Sequence, residues 1–168
     1  RVRQVIGYKD DPGVDITSIL LDHDIEGEFP DEVMEQVHSI SQTVKEKELE
    51  GRVNLCDEIT VTIDGDDSKD FDDAVSVSRN ENGWLLKVSI ADVSHYVTEG
   101  SPLDQEALKR GCSTYVTDRV VPMLPHELSN GICSLNPHVI RLTLTCQMQV
   151  KEDGSISDYR IYPSCIRS

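Results

Sequence analysis

A run of aspartates between two apolar segments constrains this chain more than any other feature of its sequence. Six of the ten residues from Asp64 to Asp73 are aspartate, and Lys69 is the only basic residue among them. Val61-Thr62-Ile63 precedes the run and Ala74-Val75 follows it, and both segments are typical of strands. Carboxylates this crowded raise one another's pKa unless a cation lies between them. The run is therefore either a solvated acidic loop or a metal site.

Three features favour the metal site. The acids of the run are all aspartate, whose short side chain holds its oxygens in place; the flanking segments are apolar; and Phe71 stands among the charges as an inward anchor. Hard divalent cations such as Mg²⁺ and Mn²⁺ prefer oxygen ligands of this kind. An EF-hand is a poor match because Lys69 and Val75 occupy the positions that need glycine and glutamate. These residues alone leave a Mg²⁺ or Mn²⁺ site and a solvated turn both open.

The formal net charge of −15 argues against nucleic-acid binding by a general electrostatic footprint. The excess lies in residues 1–100, which hold 24 acidic and 9 basic residues. RNA binding therefore requires cations that neutralise the acidic run, and basic surface on other parts of a longer protein. The hydrophobic content of 38% supports a packed core.

The five cysteines are far apart and form no C-x-x-C pair, which predicts reduced thiols in a cytoplasmic protein without disulfides. They are Cys56, Cys112, Cys133, Cys146 and Cys165. No uncharged apolar stretch approaches the roughly 18 residues of a membrane span, and no signal peptide is evident, so no membrane association is expected. The chain begins at Arg1 without a methionine and stops mid-pattern at Ser168, as expected of a fragment.

The hydrophobic periodicity predicts an α/β fold of the mixed α+β kind. The predicted elements are a strand at Val2–Tyr8, an irregular connector over 14–30, a helix at about 31–47, a hairpin of Ala74–Ser78 and Trp84–Ala91, a helix that Ser101 caps and Gly111 ends, and a hairpin of Leu142–Val150 and Ile156–Ile161. In the last hairpin, alternate residues from Leu142 to Val150 share one face of the strand.

The acidic run resembles the signature of RNB-domain exoribonucleases of the ribonuclease II/ribonuclease R family, and it is most similar to the ribonuclease R branch. The signature spans Thr62 to Val75, and the resemblance covers nearly all of residues 51–168. Further motifs that carry it, in the same order as in the family, are Ile90–Val97, Gly100–Asp104, Asp118–Pro125, Glu127–Gly131 and Cys133–Pro137.

The resemblance implies three parts of the chain. Residues 1–10 are expected to be the last strand of a preceding cold-shock (OB-like) β-barrel domain, and residues 11–50 a linker that contains the helix at about 31–47. Residues 51–168 are expected to be the N-terminal part of the RNB catalytic domain, truncated at about half its length, with two β-hairpins and a few helices.

The resemblance also implies the site. The catalytic and metal-binding aspartates of the family fall on Asp64, Asp70, Asp72 and Asp73, which would hold two Mg²⁺ ions or Mn²⁺ in their place. Asp72 is the residue whose loss would stop cleavage without loss of RNA binding, and Asp66 and Asp67 are loop acids. Tyr115 matches the aromatic residue that stacks on the terminal base. The expected activity is processive hydrolysis of single-stranded RNA from its 3′ end with release of 5′-nucleoside monophosphates.

Two histidines, His95 and His126, have no partner at a useful spacing, and structural roles are expected for both. Because further active-site residues belong to the missing half of the domain, the fragment itself is expected to be inactive. Two alternatives remain: a non-catalytic metal- or RNA-binding module, and a simple calcium-buffering acidic loop.

Overall fold

The computed structural model describes Val2 and residues 4–168, and it has a mixed α+β fold. The helices are α1 (Val14–Asp22), α2 (Asp31–Ser39) and α3 (Pro102–Arg110), with 3₁₀ turns at Glu46–Leu49 and Val93–His95 and a π-type turn at Glu127–Ile132. The strands are β1 (Val53–Asn54), β2 (Asp73–Asn80), β3 (Gly83–Ala91), β4 (Thr114–Tyr115), β5 (Val120–Val121), β6 (Ile140–Val150) and β7 (Ile156–Arg167).

Two sheets organise these elements. The larger sheet has the order β1-β7-β6-β3-β2, in which β1 runs parallel to β7 and every other neighbour is antiparallel. Its two long hairpins, β2-β3 and β6-β7, are those that the sequence predicts, and that prediction is confirmed. The smaller sheet is the antiparallel pair β4-β5.

The two faces of the large sheet differ sharply in polarity and burial. One face, here called the apolar face, consists of Val75, Val77, Leu86, Val88, Ile90, Leu144, Cys146, Met148, Tyr159 and Ile161, which oppose one another in register. Val77 is 61% exposed, Leu144 46% and Ile161 59%. The alternate residues of β6 from Leu142 to Val150 therefore do share a face, as predicted. Of these five residues only Leu142, near the start of β6, is buried.

Small hydroxyl side chains form the buried centre of the opposite face. The Ser164 hydroxyl lies 2.7 Å from the Thr143 hydroxyl and 2.6 Å from the Thr145 hydroxyl. Ser89 extends the chain of hydroxyls, with its oxygen 2.7 Å from that of Thr145. Each group can donate to one neighbour and accept from another, so these buried polar atoms are satisfied. Leu55 and Leu135 pack on the same side of the sheet.

The main hydrophobic core lies between the helices and the end of the sheet that contains Leu142 of β6 and Cys165 of β7. Its fully buried members include Val33 and Val37 of α2, Leu103 of α3, and Leu128 and Ile132 of the π-type turn. As predicted, α3 begins after Ser101, whose hydroxyl accepts from the Asp104 amide (3.2 Å), and it ends at Gly111.

The predicted helix at 31–47 is correct only in its first half. Helix α2 ends at Ser39, and Ile40 has extended backbone angles (φ −80°, ψ 126°). Ser41 explains why the helix does not resume, because its hydroxyl donates to the Thr43 carbonyl (2.8 Å) and accepts from the Thr43 amide (3.3 Å). Serine bonds of this type compete with helical backbone bonds. Ile40 and Val44 still pack against the core, so their apolar spacing reflects burial rather than helix.

The segment predicted as an irregular connector over 14–30 contains helix α1, so that prediction is wrong for Val14–Asp22. The helix follows Gly13, which has a left-handed conformation (φ 78°), and the Thr17 hydroxyl donates to the Gly13 carbonyl (2.8 Å). Its β-branched residues, such as Ile16 and Ile19, have only modest helix propensity, which hides the helix from a sequence pattern.

The strand predicted at the N-terminus remains a prediction. None of the described residues Val2 and 4–8 belongs to a strand in this structure, and positions 1 and 3 lie outside the described residues.

Replacing Gly83 by alanine should destabilise the first hairpin. Gly83 has φ 116°, and an added Cβ would collide with the Val150 carbonyl oxygen and approach the Lys151 Cα to 3.1 Å. We expect the free energy of unfolding, measured by urea titration, to fall by about 1–3 kcal/mol. Gly27→Ala is the matched control because nothing lies within 4 Å of a Cβ there. Equal stability of the two variants would contradict this account of the turn.

Candidate active site

The aspartate run is a loop whose two ends meet at the edge strand β2. Val61 and Val75 form a two-bond antiparallel bridge, with N–O distances of 3.0 and 2.8 Å. Within the loop, the Ser68 amide donates to the Gly65 carbonyl (2.9 Å). The loop therefore leaves the sheet at Val61 and returns to it at Asp73, the first residue of β2.

The second half of the loop is tied to the body of the protein through Phe71. The Phe71 amide donates to the Ser134 hydroxyl (3.0 Å), and the Phe71 carbonyl accepts from the Leu135 amide (2.9 Å). The Asp72 carbonyl accepts from the Ala91 amide (2.9 Å). Phe71 is half-buried against the core beneath the sheet, so the predicted inward anchor is confirmed.

Two of the four predicted aspartates share a cleft. Asp70 and Asp72 line a cleft of about 400 Å³, here called the aspartate cleft. The other residues that line it are Ile90, Ala91, Val93, Ser113, Met123, Leu124 and Ser129. Asp64 and Asp73 lie at the two ends of the loop and do not line this cleft. Across the described part of the chain, no three His, Cys, Asp or Glu side chains converge as a metal-binding group.

The four aspartates nevertheless interact through their charges. Burial raises the pKa of Asp72, and the charges of Asp70, Asp73 and Asp64 raise it further. A divalent cation would relieve this repulsion, and an all-oxygen donor set suits a hard cation such as Mg²⁺. The donors thus fit such an ion in kind, and two of them, Asp70 and Asp72, line the same cleft.

A second and larger cleft adjoins the first. It has a volume of about 850 Å³, here called the tyrosine cleft, and Asp70 lines it as well as the aspartate cleft. The other residues that line it are Asp67, Ser68, Lys69, Ser113, Tyr115, Arg119, Val120, Pro122, His126, Ser129 and Asn130. Tyr115, in β4, is 70% exposed, so its ring is available to a ligand. The structure therefore brings Tyr115 and Asp70 to one cleft.

The two predicted structural histidines differ in position. His95 lies outside both clefts, where its Nε2 is 2.8 Å from Glu48 Oε1 and its Nδ1 is 3.4 Å from Arg52 Nη2. Its structural role is consistent with these contacts. His126 lines the tyrosine cleft, and its Nδ1 is 3.3 Å from Asn130 Nδ2.

Sequence reasoning missed the two cations, Lys69 and Arg119, that line the tyrosine cleft together with the acidic Asp67 and Asp70. Lys69 was visible only as the one basic residue of the acidic run, and Arg119, 50 positions further along the chain, stood in the Asp118–Pro125 motif without an assigned role. Ser134, which holds the loop, stood in the Cys133–Pro137 motif and was likewise given no role.

Comparison with known proteins places the chain in a family. The RNB domain profile matches residues 52–168, and the chain belongs to the RNB domain family. The chain is 55% identical to "Ribonuclease R 1" of Lactococcus lactis over 168 residues, which are 99% of this chain and 21% of that protein. It is 53% identical to "Ribonuclease R" of Thermotoga maritima over 171 residues, which cover 100% of this chain and 24% of that protein.

A solved structure agrees with these relatives. RNase R of Mycoplasma genitalium, in complex with ribose-methylated single-stranded RNA, matches with a TM-score of 0.92 and 39% identity over 99% of this chain and 26% of that chain. The predicted mixed α+β fold and the predicted family are both confirmed. This chain spans between a fifth and a quarter of the length of these two curated relatives. Among the residues described, none of the helices combines the length and apolarity that crossing a membrane requires.

Proposed function

We propose that this chain is the aspartate-bearing portion of a processive, hydrolytic 3′→5′ exoribonuclease that acts in the cytoplasm. The substrate would be single-stranded RNA, held by its 3′ end, and the products 5′-nucleoside monophosphates. The observation that carries the proposal is the position of Asp70, which lines both the aspartate cleft and the tyrosine cleft. A base bound in one cleft would thus bring its phosphodiester to the carboxylates of the other.

The tyrosine cleft supplies what an RNA end needs. An exposed tyrosine such as Tyr115 can stack on any base, which contributes about 1–3 kcal/mol without sequence preference. Lys69 and Arg119 line the same cleft and can contact phosphate oxygens. These two cations balance the acidic Asp67 and Asp70 of the same cleft, and Arg119 also pairs with Asp118 (2.7 Å). The basic surface that RNA binding requires is therefore expected on other parts of the longer protein.

Asp70 and Asp72 would hold Mg²⁺, or Mn²⁺ in its place, and Asp64 and Asp73 would complete the ligand set by turning toward the aspartate cleft. Two bound ions would supply an activated water and stabilise the charge of the leaving 3′ oxygen. Burial and the charges of Asp70, Asp73 and Asp64 raise the pKa of Asp72, and a cation bound among these carboxylates would relieve that repulsion.

A non-catalytic metal- or RNA-binding module is the second candidate. The observation that favours it is that no three carboxylates converge in the part of the chain that the structure describes. Such a module would bind single-stranded RNA without shortening it, both as the 168-residue chain and as a protein of the full length of its relatives.

The test follows 5′-labelled single-stranded RNA in the presence of Mg²⁺. We expect the 168-residue chain to leave the RNA intact, because it spans only 21–24% of the length of the two ribonuclease R relatives. A protein of the full length of its relatives should shorten the RNA stepwise from the 3′ end and release 5′-nucleoside monophosphates. Robust degradation by the short chain would overturn the proposed inactivity of the fragment. Binding without cleavage by the long protein would favour the second candidate.

A further inference from the structure

A buried arginine without an acidic partner lies behind the aspartate loop. Arg141, in β6, is 8% exposed, and among the described residues it forms no salt bridge. Its guanidinium donates instead to three carbonyls: those of Ser134 (2.9 Å), Gly131 (3.3 Å) and Ile140 (3.1 Å). An unpaired charge is costly to bury, so these bonds point to a segment whose position matters.

The segment that Arg141 holds is the one that supports the aspartate loop. Ser134 is fully buried, and its hydroxyl donates to the Lys69 carbonyl (2.9 Å) while it accepts from the Phe71 amide (3.0 Å). One hydroxyl therefore fixes the backbone on both sides of Asp70. The neighbouring Leu135 amide holds the Phe71 carbonyl (2.9 Å), and thereby the residue that precedes Asp72.

From this chain of contacts we infer that Ser134 and Arg141 are positioning residues, which set the backbone that presents Asp70 and Asp72 to a divalent cation. The inference rests on the proposed function, since it concerns the same carboxylates. Arg141 acts through the carbonyls it binds and not through its charge. Burial and the charges of the other aspartates raise the pKa of Asp72, and the charge of Arg141 is not among the causes.

The contacts also explain why serine is required at position 134. A hydroxyl can donate and accept at once, which is what the Lys69 carbonyl and the Phe71 amide need. Alanine leaves both groups without a partner in a buried place and frees the loop to shift. Because an ion needs ligand oxygens held within a few tenths of an ångström, a small shift weakens binding.

The experiment measures Mn²⁺ binding to the 168-residue chain by electron paramagnetic resonance, together with hydrogen exchange of the Phe71 amide. Ser134→Ala should raise the Mn²⁺ dissociation constant by about 10-fold or more, as is typical when a residue that orients a ligand is lost. It should also speed exchange of the Phe71 amide. Arg141→Lys should shift both quantities in the same direction, since lysine cannot span the three carbonyls that Arg141 binds. The shift should be smaller than that of Ser134→Ala, because Ser134 itself still bonds the loop.

Ser164→Ala is the matched control. Ser164 is as buried as Ser134, but it lies in the sheet, and its hydroxyl bonds Thr143 and Thr145 rather than the loop. It should lower stability and leave Mn²⁺ affinity and Phe71 exchange unchanged. If Ser134→Ala binds Mn²⁺ as the wild type does, or if Ser164→Ala weakens binding equally, the inference is wrong.

Failure of the proposed function gives a different pattern. A wild-type chain that binds no Mn²⁺ would refute the metal site as it stands in this chain. Exchange at Phe71 would then still decide whether Ser134 and Arg141 position the loop. Should Ser134→Ala fail to fold, Arg141→Lys provides the same two measurements.

Discussion

Replacing Asp72 by asparagine in a protein of full length should lower the rate of RNA hydrolysis on the order of 1000-fold or more, because metal-held charge contributes several kcal/mol to such a transition state. Asp72 lies in the aspartate cleft, where burial and the charges of Asp70, Asp73 and Asp64 raise its pKa. Asparagine keeps the shape and removes the charge that a cation needs. Affinity for single-stranded RNA should change little, since Tyr115 and the basic residues lie in the tyrosine cleft.

The measurement is a single-turnover rate on 5′-labelled RNA with saturating Mg²⁺, with RNA affinity from fluorescence anisotropy in chelator. Asp66→Asn is the matched control, because Asp66 belongs to the same loop, is exposed, and lines neither cleft. A rate for Asp72→Asn within tenfold of wild type, or an equal loss in Asp66→Asn, would contradict the assigned role.

The second large effect concerns stability. Arg52 Nη2 and Asp92 Oδ2 form a salt bridge of 2.6 Å, with side chains that are 10% and 15% exposed. Asp92→Asn would leave the Arg52 cation buried without its anion. We expect this variant to reduce the free energy of unfolding by roughly 3 kcal/mol. Urea unfolding at pH 7 measures the loss.

The same pair predicts a dependence on pH. Burial alone would raise the pKa of Asp92, but hydrogen bonds from Arg52 and Ser94, together with the charge of Arg52, outweigh burial and hold that pKa below its ordinary value. A carboxyl with a lowered pKa in the folded state stabilises the protein above the unfolded pKa, near 4, and this stability is lost as the pH falls through the folded pKa. The wild type should therefore lose stability below about pH 4 more steeply than Asp92→Asn.

Asp158→Asn, on an exposed part of β7, serves as the control and should change stability by less than about 0.5 kcal/mol. A variant at Asp92 that keeps wild-type stability at pH 7, or that keeps the wild-type slope in acid, would show that the salt bridge contributes little.

What could be predicted from the sequence is what depends on neighbours along the chain. The β2-β3 and β6-β7 hairpins follow from alternation and turn residues, and α3 follows from the caps at Ser101 and Gly111. The end of α2 could not be predicted, since Ile40 and Val44 continue the helical spacing while Ser41 redirects the backbone. Apolar residues at helical spacing are found both in a helix and in a non-helical segment that packs on the core, so the spacing alone cannot distinguish the two.

For the candidate site, too, the sequence identified residues but not how they are grouped in space. The aspartates and Tyr115 stand in local motifs, so their identity as candidates needed no structure, but their grouping did. The structure brings Asp70 and Asp72 to one cleft and leaves Asp64 and Asp73 outside it. Ser134 bonds residues that lie 63 and 65 positions away, and no pattern in a single sequence connects them.

The uncovered apolar face has a practical consequence for solutions of this chain. A contiguous exposed apolar surface of this kind favours aggregation, and the net charge of −15 opposes it by electrostatic repulsion between molecules. Added salt shortens the range of that repulsion to about 10 Å at 0.1 M, and divalent ions, if the aspartates bind them as proposed, would reduce it further. Titrations with Mn²⁺ or Mg²⁺ would then promote self-association of the protein, so they are best begun with dilute protein at low ionic strength.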